Sequence, residues 1–96
     1  MAATNKHGRQ GNGLIRRVTE LHQLGYGFDF SLNINKQILC VQNGLAFIQE
    51  ALSIKLIDQV YDSSSRQFKY IHTVETDTGQ KGILLLNHIL FGQIIN

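Results

Sequence analysis

From Ile54 to Leu86 the chain alternates apolar and polar residues through three runs, broken at Ser63-Ser64-Ser65 and at Asp77-Thr78-Gly79. That period of two marks half-buried strands. Closing the runs as hairpins over those two loops sets a register. In the first hairpin Asp62 faces Arg66, Val60 faces Phe68, Leu56 faces His72 and Ile54 faces Val74. In the second, Glu75 faces Lys81, His72 faces Leu84 and Tyr70 faces Leu86. One face then collects Ile54, Leu56, Val60, Phe68, Tyr70, Val74, Leu84 and Leu86. A slip of one residue in either hairpin would scatter that set, so pattern and turn chemistry agree. The opposite face is mostly polar, with Lys55, Gln59, Gln67, Lys69 and Thr73. Yet Ile57, Ile71 and Leu85 line up across it, with Ile83 beside them. This aliphatic stripe is the candidate interface, since something must cover it.

Upstream, Leu14, Ile15, Val18, Leu21 and His22 follow helical spacing and predict a helix over 14–24. Asn12 is placed to cap it, and Gly25 stands where a left-handed C-terminal residue belongs, with Tyr26 able to pack back. The core face of the meander needs only this helix to complete it. Arg16 and Arg17 sit at the wrong end for the helix dipole. Tyr26 to Leu32 alternates as a strand, 33–36 is a turn, and 37–42 (QILCVQ) is a second strand. There Ile38 and Cys40 compete with Leu39 and Val41 for the core. Residues 45–52 (LAFIQEAL) carry Leu45, Ile48 and Leu52 at the spacing of a short helix or one turn. The tail after Leu86 is apolar, interrupted by Gly92, and is a candidate cover for the stripe.

Composition narrows this little. The 96 residues, 43% hydrophobic and 17% charged, fit one small globular domain, and there is no proline. Residues 1–13 are Gly/Asn/Gln-rich and predict a disordered arm before a single domain over 14–96. The net charge of +2 is uneven: Lys6, Arg9, Arg16 and Arg17 precede any acid, and the body beyond them is mildly acidic. That disfavours nucleic acid on the sheet and leaves only a weak contact through the arm. A single cysteine gives no support for export, and no run approaches a membrane span, so a cytoplasmic protein without membrane partners is expected.

Catalytic chemistry finds no constellation. His7, His22, His72 and His88 match no metal-ligand spacing, and Cys40 in an apolar run reads as a buried hydrophobe. Asp77-Thr78-Gly79 shares the tripeptide of aspartic proteases but lacks its apolar strand context, and a hairpin loop accounts for it. Gly79-Gln80-Lys81-Gly82 lacks the upstream glycine and following Ser/Thr of a phosphate loop. No catalytic, cofactor or metal residue is assigned.

Several local words do resemble a family. Val18-x-x-Leu21 before Leu24-Gly25-Tyr26, Asp29-Phe30-x-Leu32, Leu52-x-Ile54 with Tyr61, Tyr70-Ile71 with Glu75, and Gly79 through Leu84 span about 14–87. In that order they resemble a group of small bacterial proteins without characterised chemistry that carry the automated name phosphoribosylpyrophosphate synthetase. The chain departs after Tyr61, where the family carries an Asp-rich turn and this sequence has Asp62-Ser63-Ser64-Ser65. The true synthetases of that name are much longer and use acidic, Gly-rich loops absent here, so the resemblance implies a compact α+β domain and no activity.

The expected fold is α+β: an N-terminal helix packed on an antiparallel sheet of about five strands built from hairpins, with a short helical segment before the last three-strand meander. The expected function is a small non-enzymatic interaction or regulatory module, a candidate homodimer through Ile57, Ile71, Ile83 and Leu85. The alternatives are a ribose-phosphate or nucleotide-binding protein, as the family name suggests, and weak nucleic-acid binding by the basic arm.

Overall fold

The computed structural model describes residues 13–90. Of the expected arm over 1–13, residues 1–12 lie outside the described residues, as do the capping Asn12 and the tail beyond Leu90, while Gly13 belongs to the helix instead. One helix, α1 (Gly13–Gln23), is followed by β1 (Phe28–Leu32), β2 (Ile38–Cys40) and β3 (Ala46–Phe47). A single 3-10 turn (Gln49–Ala51) then leads into β4 (Ser53–Asp62), β5 (Gln67–Glu75) and β6 (Lys81–Leu86). The α+β class with an N-terminal helix on a sheet is therefore present. The sheet has six strands in the order β3-β2-β1-β6-β5-β4. All pairings are antiparallel except β1 with β6, which run parallel and form the seam between the two halves.

The helix ends as its sequence dictates. Gly25 takes φ +107°, its N–H bonds the carbonyl of His22, and the Tyr26 N–H reaches back to Leu21 at 3.0 Å. These are the paired bonds of a Schellman ending. Tyr26 folds against Leu21, Ile71 and Ile83, with Lys81 Nζ 5.7 Å from its ring centre. Arg17 finds its counter-charge across the domain: its Nε donates to Asp58 Oδ2 at 2.8 Å, and Nη1 reaches Glu20 at 3.3 Å.

The β5–β6 hairpin has the predicted register, from Glu75–Lys81 to Tyr70–Leu86. The β4–β5 hairpin has it only near its base, where Ile54 pairs Val74 and Leu56 pairs His72. At the tip Asp62 pairs Gln67 and Tyr61 pairs Phe68, one step from expectation. Arg66 joins the loop, at φ 58°, because the Asp62 carboxylate gathers Ser64 (hydroxyl 2.8 Å, amide 3.3 Å) and the Ser65 hydroxyl at 2.9 Å. A β-bulge at Ile57, between Leu56 and Asp58, absorbs the extra residue. The consequence is that Val60 changes face and joins the α1 side, while Tyr61 stacks edge-on against Phe68 at 5.3 Å.

The helix packs on the face that was expected to be polar. Leu21 of α1, with Leu14 and Val18, lies over Ile71 and Ile83. The opposite face, with Ile54, Val74 and Leu84, continues instead into one cluster with Phe30, Ile38 and Cys40 of the N-terminal strands and with Leu90. The tail is thus no cover for the stripe as far as Leu90. Ile38 and Cys40, both fully buried, win the ambiguous second strand, which ends at Cys40. The 45–52 segment is a two-residue strand and one 3-10 turn.

Candidate functional site

An open groove of about 330 Å³ lies on the helix-bearing face, beside α1. Its lining includes Val18 from α1, Asp29 and Ser31 from β1, and Ile83 and Leu85 from β6. The floor depends on the parallel seam. A Cβ at Gly82 would overlap the Phe28 carbonyl oxygen and lie 2.5 Å from Phe30 Cε2, so only glycine lets β1 approach β6 this closely. The alternation that follows sends Asp29, Ser31, Ile83 and Leu85 to the groove and Phe28, Phe30 and Leu84 to the core.

The wall follows from helix phase. Arg17 points to β4 through Asp58, whereas His22 reaches β1, its Nε2 3.5 Å from Asp29 Oδ1. Ile15 is seven residues before His22 and three before Val18, so it stands on the groove side, 61% exposed. A polar network closes one end. Gln42 Nε2 donates to Asp29 Oδ2 at 2.8 Å, and its Oε1 accepts the Asp29 N–H at 2.9 Å. The groove is apolar on its α1 and β6 sides and polar on its β1 side, where Asp29 of the half-exposed His–Asp pair and Ser31 line it.

The four residues of the predicted interface separate here. Ile71 and Ile83 are buried beneath α1, at 0% and 3% exposure, and present no free surface. Ile71 pairs with Leu85 as expected, but Asp58, not Ile57, stands opposite it, because Ile57 is the bulged residue. Ile57 and Leu85 remain partly open, at 37% and 39%. The stripe is continuous in sequence register and interrupted in space by the helix. What sequence reasoning missed is Val18, Asp29 and Ser31 as neighbours of Leu85. The missing signal was the parallel β1–β6 pairing, which no local pattern encodes.

The remaining candidates have structural roles. Asp77-Thr78-Gly79 is the β5–β6 turn: Gly79 has φ 91°, its N–H bonds the Thr76 carbonyl at 3.0 Å, and the Thr76 and Thr78 hydroxyls meet at 3.0 Å. Cys40 is buried in the core. His72 is also buried, with Nδ1 3.2 Å from the Tyr70 carbonyl oxygen and 3.3 Å from that of Leu84, while Nε2 accepts the Leu90 N–H at 3.2 Å. A second hollow, of about 450 Å³, is lined by Glu50, Ala51, Leu52, Ser53, Glu75, Thr76 and Asp77. Its three carboxylates have no cation among the lining residues, and no group of three or more His, Cys, Asp or Glu among the described residues is arranged to hold a metal. No helix among the described residues is long and apolar enough to cross a membrane. Comparison with family models, with curated proteins and with solved structures gives no match.

Proposed function

We propose that this chain is a small non-enzymatic interaction module that self-associates through the groove beside α1. The observation that carries the reading is an exposed apolar side chain near an open groove: Ile15, 61% exposed, lies one helical turn before Val18, and Val18 lines the groove with half-exposed Leu85. A twofold axis across this face seats the Ile15 of each copy in the groove of the other, which is how a self-complementary interface is built. Desolvating these aliphatic groups supplies the drive, and the rim pair His22–Asp29 supplies polar register.

Light scattering over a concentration series tests this. The mass is expected to rise from 10.8 kDa towards twice that value, and Leu85→Asp and Ile15→Asp are each expected to hold the chain at 10.8 kDa with an unchanged circular dichroism spectrum. A wild-type chain that stays monomeric at every concentration, or a dimer unaffected by both substitutions, removes the proposal. Ile71 does not serve as the probe, because an aspartate there would be buried under α1 and would unfold the domain.

A further inference from the structure

After β6 the chain passes through Asn87, His88 and Ile89 to Leu90 on the core face; Lys69, on the helix-bearing side of β5, meets the start of this segment and His72, on the core side, meets its end. Lys69 Nζ donates to Asn87 Oδ1 at 2.7 Å, and His72 Nε2 accepts the Leu90 N–H at 3.2 Å. A backbone N–H can only donate, so Nε2 is bare and the ring carries its proton on Nδ1, shared between the Tyr70 and Leu84 carbonyl oxygens. Leu90 is 4% exposed and packs with Ile54, Val74 and Leu84.

We propose that Asn87–Leu90 is an acid-released strap: protonation of His72 at Nε2 turns the acceptor of the Leu90 N–H into a donor and frees the segment, uncovering the apolar face at Val74 and Leu84. No rearranged tautomer rescues the contact, because the second proton leaves both ring nitrogens as donors. Burial holds the His72 pKa below its ordinary 6.5, against the two carbonyls that favour the charged ring, and a charge on His88 in the strap pushes the same way as burial. Tyr70 on the same face of β5 and the buried Cys40 thiol of β2 are the other titratable side chains on this side of the sheet. The charged side chains of β4 (Lys55, Asp58), β5 (Lys69, Glu75) and β6 (Lys81) alternate to the helix-bearing face, Asp29 of β1 turns to His22, and Glu50 lines the acidic hollow. No carboxylate therefore compensates a charged His72.

In the released state the ring is solvated and regains a pKa near 6.5, so opening is increasingly favoured as pH falls from that value towards the lowered pKa of the closed state, and levels off below it. Amide exchange read residue by residue from about pH 7.5 to about pH 5 tests this. The protection factor of Leu90 is expected to fall as pH drops below 6.5, by at most about tenfold per unit, while those of Ile71 and Leu84 hold. His88→Ala is expected to keep this response and His72→Phe to abolish it. Leu90 protection that ignores pH, or that falls in step with Ile71 and Leu84, overturns the strap, as does a response surviving in His72→Phe. Should that variant not fold, the wild-type series with the His72 ring nitrogen shifts decides alone.

Discussion

Gly82→Ala attacks the seam on which both the groove and the joining of the two sheet halves depend. The added methyl would sit 2.5 Å from Phe30 Cε2 and 2.7 Å from the Phe28 carbonyl carbon, besides overlapping the Phe28 oxygen. A flexible side chain yields to such a clash; a strand backbone bonded on both sides does not. Phe28 is held by its pairing with Gly82, and Phe30 by pairings with Leu84 and Cys40. Overpacking of this kind costs about 3 kcal/mol, a large part of the roughly 5–15 kcal/mol that stabilises a small domain. Thermal unfolding is then expected roughly 12–24 °C lower. Gly27→Ala is the matched control, since nothing lies within 4 Å of its added methyl and its φ is not positive. It is expected to be neutral or to stabilise by up to about 1 kcal/mol. Urea unfolding of both variants, with amide spectra of β1, distinguishes relaxation from separation of the halves. A Gly82→Ala chain within about 1 kcal/mol of wild type, with the Phe28 and Phe30 signals in place, would falsify the close parallel approach.

Two further outcomes separate residues that look alike in the sequence. Ile71→Ala, fully buried beneath Leu21, is expected to lose about 2–5 kcal/mol, whereas Ile57→Ala at the exposed bulge is expected to lose less than about 1 kcal/mol; equal losses in urea unfolding would contradict the bulge. Asp62 titrates below its ordinary value of 3.8 because the Ser64 and Ser65 hydroxyls donate to its carboxylate. Its hold on the β4–β5 turn is therefore complete above 3.8 and is lost as pH falls through the lowered value, so the Ser64 amide shift is expected to move there and Asp62→Ala to abolish the movement.

Local signals carried the meander well. The three-residue turn at Gly79 fixed the β5–β6 register to the residue, because glycine at positive φ leaves the hairpin one way to close. The β4–β5 tip was readable only in part. Three serines and Arg66 allow loops of three or four residues, and the choice falls to Asp62, whose carboxylate gathers both serines. One extra loop residue shifts every pair until a bulge restores the count, so a single side chain at the tip decides which face receives Val60. The candidate site was less legible still. Leu85 and Ile83 were singled out as apolar on a polar face, but their partners Val18, Asp29 and Ser31 arrive through the parallel β1–β6 pairing, a contact between distant segments.

The groove itself follows from size rather than from any one residue. Six strands at ~4.8 Å spacing make a sheet ~24 Å wide, and one helix with its side chains covers ~10 Å of that. On the core face Phe30, Ile38 and Cys40 form one buried cluster with Ile54, Val74 and Leu84, and Leu90 adds to it. The other face has α1 alone, anchored towards β4 by Arg17 and Asp58 and capped at Tyr26 over β6. The strip beyond it, over β6 and β1, is left with half-exposed Leu85 beside Ser31 and Asp29, while α1 already covers Ile83. A chain that needed no partner there would place a polar residue at position 85, as it does at both of the β1 positions. Aliphatic residues on one strand and polar ones on its neighbour match the edge of an interface, with a buried side towards the helix and a wet side away from it.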